Sequence, residues 1–222
     1  MKKLIFALMS LLPMMAWAQW ETPDSQENVQ EKTKWTQPEQ EKTTVEKKAK
    51  VYEWEAYLGD VIPTDAEGKV VWERTFTNNL SGEENYNRMM AFLNEYIKGK
   101  DFNPESKVAL VNKAEKSIAV HVDEYITFSS TFISLDRTRL IYTLQVTCDD
   151  HQVTVKAFRI SYWYEENRKG GYRYQAETWI TDKYAVNKKH TKLLPISGKF
   201  RRKTVDRMNE LMQQFEYEII KP

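Results

Sequence analysis

Cysteine occurs once, at Cys148, and histidine three times, at His121, His151 and His190. A single cysteine excludes an intrachain disulfide whatever the redox state outside the cytosol. It also leaves no thiol near the N-terminus to carry a lipid, so a lipoprotein is not expected. The histidines are scattered, with neither C-x-x-C nor H-x-x-x-H spacing, and no metal site is expected. Glycine is scarce, at seven residues, and it builds no G-x-S-x-G, P-loop or G-x-G-x-x-G run. Loops that expose a nucleophile or cradle a nucleotide phosphate therefore have no candidate, and neither catalytic residues nor cofactors are expected. Neither charge sign dominates, with 33 Lys and Arg against 32 Asp and Glu, which argues against nucleic acid as a partner.

Long apolar runs are also missing, apart from Leu4 to Met15. That run follows Met1, Lys2 and Lys3 and ends in Ala16-Trp17-Ala18 before Gln19. A basic start, an apolar stretch and a small-x-small ending describe a signal peptide over 1–18, cleaved after Ala18. A spanning helix needs roughly 20 apolar residues, more than this run supplies. The expectation is an exported chain, periplasmic or secreted, with no transmembrane segment after cleavage. Loss of Lys2 and Lys3 would leave 31 basic against 32 acidic residues.

Residues 19–50 are rich in Gln, Glu, Lys and Thr and contain no Gly, Leu, Ile or Phe. Such a segment cannot bury enough apolar surface to offset its ordering entropy and reads as a disordered linker. Within it Trp20-Glu-Thr-Pro23-Asp24 recurs as Trp35-Thr-Gln-Pro38-Glu39, either a pair of docking motifs or a coincidence of biased composition.

From 51 to 222 the patterning is that of one domain. Val70 to Thr77 has strand composition. Ser81 with Glu84 makes a capping box, after which Tyr86, Met89, Met90, Leu93, Tyr96 and Ile97 recur at helical spacing until Gly99. From Lys107 the period becomes two. Val108 and Leu110, then Ile118, Val120 and Val122, read as a hairpin. Tyr125 to Phe132, Leu140 to Val146 and Val153 to Tyr164 continue a meander, and Tyr172 to Ile180 is a candidate last strand. A final helix from about Gly198 to Ile220 carries Val205, Met208, Leu211, Met212, Phe215 and Ile219 on one stripe, with Ser197 read as its cap. Two amphipathic helices separated by consecutive antiparallel strands imply an α+β layer with both helices on one sheet face.

Four segments carry a family resemblance: Tyr57-Leu-Gly-Asp-Val-Ile-Pro63 with Gly68-Lys-Val-Val-Trp72, Ser134-Leu-Asp-Arg-Thr-Arg139, Ala176-Glu-Thr-Trp-Ile-Thr-Asp-Lys-Tyr-Ala-Val-Asn187, and Gly198-Lys-Phe-Arg-Arg-Lys-Thr-Val-Asp206. They resemble a secreted domain family of unknown function with a TBP-like fold, common in Bacteroidota. The resemblance implies a β-α-β(4)-α arrangement and an envelope location. It assigns no activity and transfers no functional residue.

Charge is uneven along the domain: 15 basic and 20 acidic residues over 51–181, but nine basic and two acidic over 182–207. Lys199, Arg201 and Arg202 open the last helix, where cations oppose the macrodipole, so they suit either an acidic partner or pairing with acids earlier in the chain. Tyr162, Trp163, Tyr164, Tyr172, Tyr174 and Trp179 gather near the last strands. Alternation sends Trp163 to the face opposite Tyr162 and Tyr164. The candidate binding residues are Trp163, Tyr174, Trp179, Lys199, Arg201 and Arg202, with an envelope protein, glycan or lipid as partner. Two further readings are a lipid carrier with a cavity under the last helix, and a hydrolase using Asp149 and Asp150 or Glu165 and Glu166. Solvated loop charge is the simpler account of those acids, and a buried structural residue that of Cys148.

Overall fold

The computed structural model describes residues 53–221. The signal peptide assigned to 1–18, the linker assigned to 19–50 and its Trp-x-x-Pro repeat lie outside these residues. A short 3₁₀ turn, Glu53–Tyr57, leads to strand β1 (Val71–Thr77) and helix α1 (Gly82–Tyr96). Four strands follow, β2 (Lys107–Asn112), β3 (Ser117–Ser130), β4 (Leu135–Asp149) and β5 (Gln152–Tyr164), then a short β6 (Tyr172–Gln175). A 3₁₀ turn at Ala176–Thr178 and a four-residue helix α2 (Asp182–Ala185) precede the long helix α3 (Ser197–Ile220). The sheet is antiparallel in the order β1-β5-β4-β3-β2, with β6 also on β5. The class is α+β, one antiparallel sheet with two long helices.

Helix α1 starts as its sequence dictates. Ser81 Oγ accepts from the Glu84 amide, and the Glu84 carboxylate accepts from the Ser81 amide and hydroxyl. The side-chain bond from Ser81, then the backbone one, holds the Glu84 carboxyl below its ordinary value. Tyr86, Met89 and Leu93 turn inward. On α3, Phe200, Met208, Leu211, Met212, Phe215 and Ile219 are buried. Both stripes meet the same side of the sheet, against Ile118, Val120 and Val122 of β3, Leu140, Tyr142, Leu144 and Val146 of β4, and Val153, Val155 and Ala157 of β5. The period of two carries this one-sided burial, because alternate residues share a face.

Two expectations fail for reasons the topology makes plain. The last strand stops at Gln175 rather than Ile180. Strand β6 pairs residues 161–164 of β5, while β1 already occupies 152–158 on that same edge, so a longer β6 would run into β1. Ser197 does not cap α3. It lies inside the helix, buried, with its hydroxyl donating to the Tyr184 carbonyl at 2.6 Å.

Cys148 is buried in the core, and burial, with Asp149 nearby, pushes its thiol up to about 12. Burial likewise raises the Tyr142 and Tyr162 phenols above their ordinary range. All three groups hold their protons more tightly folded than unfolded. Their contribution to stability is full below the unfolded values, near 10 for tyrosine, and is lost as pH rises beyond them. In an alkaline titration, the tyrosinate absorbance of Tyr142 and Tyr162 should appear together with loss of circular dichroism, and Cys148 should react with a thiol reagent only once denaturant is added.

Candidate functional site

Among the described residues no helix covers the sheet face opposite α1 and α3, and a single extra residue decides what that face displays. Arg159, at φ 55°, is a bulge in β5, where the partners of β4 jump from Phe158 to Ser161. Before it Val153, Val155 and Ala157 face the helices; after it Ile160 and Tyr162 do. The shift by one turns Trp163 to the open side, where strict alternation from Val153 would have buried it. Register then sets Tyr125, Arg139, Trp163 and Arg173 side by side across β3, β4, β5 and β6.

With Arg137, two residues before Arg139, these side chains set three cations on two rings. The guanidinium carbons of Arg139 and Arg173 lie 4.8 and 4.0 Å from the Trp163 ring centre, and that of Arg137 lies 3.8 Å from the Tyr125 ring. Arg139 is nearly buried and meets three carboxylates: Asp123, which takes both Nε and Nη2, then Glu105 and Glu166 at 3.3 Å each. The bonds to Asp123 raise the Arg139 pKa above its ordinary value, so it stays charged. Tyr125 donates to Glu166 at 2.6 Å, and burial followed by that bond raises its phenol pKa. Arg137 and Arg173 differ: among the described residues neither has a carboxylate partner, and their contacts are the two rings. Stacking leaves the N–H edges of a guanidinium free in its own plane.

The β5–β6 loop closes one border. Gly171, at φ 52°, packs so tightly on the indole that a Cβ there would come 2.5 Å from Trp163 Nε1. On the other side Glu105, His121 and Asp123 bring one ligand atom each within 4.8 Å of one another. Their number suits a metal ion, but Asp123 and Glu105 are both engaged by Arg139, whose positive charge opposes a cation.

The six residues singled out from sequence do not form one site. Trp163 alone lies on the open face. Tyr174 and Trp179 lie on the helix side, stacked at 3.7 Å and against Phe200. Lys199, beside them, donates to Asp136 at 2.7 Å and to the Tyr164 hydroxyl; those partners outweigh burial and raise its pKa. Arg201 is 0% exposed, which removes it as a surface ligand. It donates to the carbonyls of Tyr57, Gly59 and Ile180 and pairs with Asp182 at 2.7 Å. Arg202 is partly exposed, beside Lys192 and Leu194 in a small cleft. Three of the four paired acids are committed: Asp150 accepts from the Gly82 amide, Glu165 pairs with Arg168, and Glu166 serves Tyr125 and Arg139, while Asp149 is exposed at the end of β4.

Arg137, Arg139, Arg173 and Tyr125 escaped the sequence reading. Their signal lies in cross-strand register, which one sequence does not display. A second missed feature is a cleft of about 890 Å³ between α1, α3 and β3. At its floor Glu124 accepts from Arg207 Nε at 3.0 Å and from the Tyr142 hydroxyl at 2.9 Å, and Arg207 also donates to the Tyr96 hydroxyl. Asp101, Asp206 and Glu210 stand among its aromatic lining of Phe92, Tyr96 and Phe102, a mixed wall rather than the wholly apolar one of a lipid tunnel.

A family model described as a domain of unknown function (DUF4468) with TBP-like fold matches residues 72–163. The chain is similar to the crystal structure of a DUF4468 family protein from Bacteroides ovatus ATCC 8483, at 34% identity and a TM-score of 0.69, over 77% of this chain and 97% of that one. It is also similar to a TBP-like protein from Parabacteroides distasonis ATCC 8503, at 23% identity and a TM-score of 0.56, over 71% of this chain and 97% of that one. No curated protein matches it. The matched span runs from β1 to the open-face tryptophan.

Neighbouring arginines in α3 should behave in opposite ways. Arg201→Ala strands buried carbonyls and Asp182 and is expected to cost about 3–5 kcal/mol. Arg202→Ala, without such partners, should stay within about 0.5 kcal/mol of the parent. Denaturant unfolding of the two variants reads the difference.

Proposed function

The chain belongs to the DUF4468 family of domains with a TBP-like fold, and from that premise we propose that it is a non-catalytic binding module of the cell envelope, holding an extended, carboxylate-bearing chain on its open sheet face. The observation that carries this reading is the pair Arg137 and Arg173, each laid on an aromatic ring and each without an acid of its own among the described residues. Held flat, a guanidinium offers two parallel N–H donors to a carboxylate, and less side-chain freedom is lost when it binds. The two sit two strand spacings and two residues apart, roughly 12 Å at ordinary sheet dimensions. A chain with recurring carboxylates can span that gap, whereas one small anion cannot.

Arg139 between them is neutralised by Asp123, Glu105 and Glu166, so local charge balances. Recognition then depends on donor geometry more than on a long-range field. The faces of Trp163 are engaged by guanidinium groups, which favours charged-edge contacts over the stacking of a neutral sugar. Absence of catalysis is supported by the engagement of Asp150, Glu165 and Glu166 in structure, which leaves neither pair with two free carboxylates, and by the raised pKa of the Cys148 thiol. The carrier reading is weakened by the sheet side of α3, which is filled by Phe200, Thr204, Met208, Leu211 and Phe215. Export rests on the N-terminal pattern Met1 to Ala18.

Binding to polyglutamate, polygalacturonate and neutral dextran, measured by calorimetry, tests the proposal. The parent should bind at least one of the polyacids and not dextran, and Arg137→Ser with Arg173→Ser should weaken that binding at least about tenfold, as loss of charge-assisted hydrogen bonds implies. Undiminished binding by the double variant, or binding of dextran as tight as that of the polyacids, would refute it.

A further inference from the structure

The end of the β3–β4 hairpin breaks the pattern of the rest of the surface. Strand β5 accompanies β4 only from Thr138 onward, while β3 and β4 continue as a two-stranded ribbon to the pair Ser130 and Leu135. The turn is closed by the Thr131 amide donating to the Ser134 carbonyl at 2.7 Å. At this tip Phe132 is 104% exposed, Ile133 90% and Leu135 55%. Protruding ribbons ordinarily carry polar or charged side chains, which keep them from associating. Here the two foremost residues are an aromatic and a branched aliphatic with no packing partner among the described residues.

Cations stand beside the tip. Lys199 in the first turn of α3 reaches Asp136, next to Leu135, at 2.7 Å. The same helix start and the loop before it hold Arg202, Lys192 and Leu194, which share one cleft with Lys199. Arg202 and Lys192 have no acidic partner among the described residues, and Leu194 and Ile196 add exposed apolar surface. Apolar residues that project, with basic residues set just behind them, match the boundary between lipid tails and anionic headgroups.

We propose that this end of the molecule docks on an anionic lipid bilayer, with Phe132 and Ile133 inserting at the interface and Lys192 and Arg202 contacting headgroups. A second protein is the poorer occupant: a stable interface takes about 800 Å² from each partner, and a two-residue tip on a narrow ribbon offers far less. A bilayer surrounds such a protrusion on every side. Arg137 lines one pocket with Ser134 and Leu135 at the base of the ribbon, so of the cations the test substitutes only Lys192 and Arg202 and leaves the Arg137 and Arg173 row intact, which keeps the two assignments distinguishable.

The test places an environment-sensitive fluorophore on Ile133→Cys or on Glu115→Cys in the full chain. Cys148, buried with a raised thiol pKa, stays unlabelled, and Glu115 lies in the turn at the opposite end of β3. Vesicles are phosphatidylcholine alone, or phosphatidylcholine with roughly 30% phosphatidylglycerol as an anionic surface. The probe at 133 should shift to the blue on anionic vesicles while the probe at 115 does not. Adding Lys192→Ser and Arg202→Ser together should weaken the apparent partitioning roughly thirtyfold, as expected for about 1 kcal/mol from each of two basic residues, and raising salt should weaken it in the same direction. No shift at 133 would overturn the proposal, as would equal shifts at both positions, since binding would then bypass the tip. An equal shift on neutral vesicles, or indifference to the serine substitutions, would overturn the role given to the cations.

Discussion

Helix α3 lies on the sheet with two arginines turned inward, and the architecture depends on both finding partners there. A buried cation without a partner costs several kcal/mol, so each position admits few arrangements of its surroundings. Arg201 draws in the carbonyls of Tyr57, Gly59 and Ile180, which come from segments before β1 and after β6. Six residues on, Arg207 reaches Glu124 on β3 and Tyr96 on α1. Apolar packing of Met208, Leu211 and Phe215 would tolerate small rotations or slides of the helix. The two guanidiniums do not, because their donors point at fixed oxygens.

The cations that seemed misplaced at the start of α3 divide on the same principle. Lys199 and Arg201 are tied to Asp136 and Asp182, acids supplied by other elements. Opposition from the helix dipole amounts to about 0.3–1 kcal/mol per charge, and hydrogen-bonded carboxylates and carbonyls outweigh it. Among the described residues Arg202 and Lys192 have no such partners, and both line the outer cleft at the start of the helix. A basic segment that reads as uniform in the sequence is thus part fastening and part surface.

Elements set by local pattern were legible in the sequence. The Ser81–Glu84 box, the stripe through Met89 and Leu93, and the alternation from Ile118 to Val122 and from Leu140 to Val146 each depend on residues near in the chain. They are also where the structure agrees. Features decided by distant competition were not legible. The early stop of β6 at Gln175 comes from β1 holding the same edge of β5, and nothing in Tyr172 to Ile180 announces it. The bulge at Arg159 has no glycine to mark it, yet it determines which aromatics face out. Arg201 and Arg202 are neighbours of like chemistry, and only the angle of about 100° between successive helical residues separates a buried anchor from a surface cation.

The covered and uncovered faces of the sheet are consequently under different constraints. Beneath the helices, a change at Leu140, Tyr142 or Val155 alters packing that both helices share. On the far side, Thr143, Gln145, Thr147 and Thr154 meet water along paired strands, and side chains there can vary while the backbone ladder stays intact. The Tyr125, Arg139, Trp163 and Arg173 row departs from that freedom, with interlocked rings and cations, a buried acid at Asp123 and a glycine pressed on the indole. Holding so many groups in fixed orientation costs side-chain entropy on a face where the fold does not require it. The ion pairs and cation–ring contacts offset part of that cost, and the proposed ligand role would draw on the same order, because donors already aligned lose less freedom on binding.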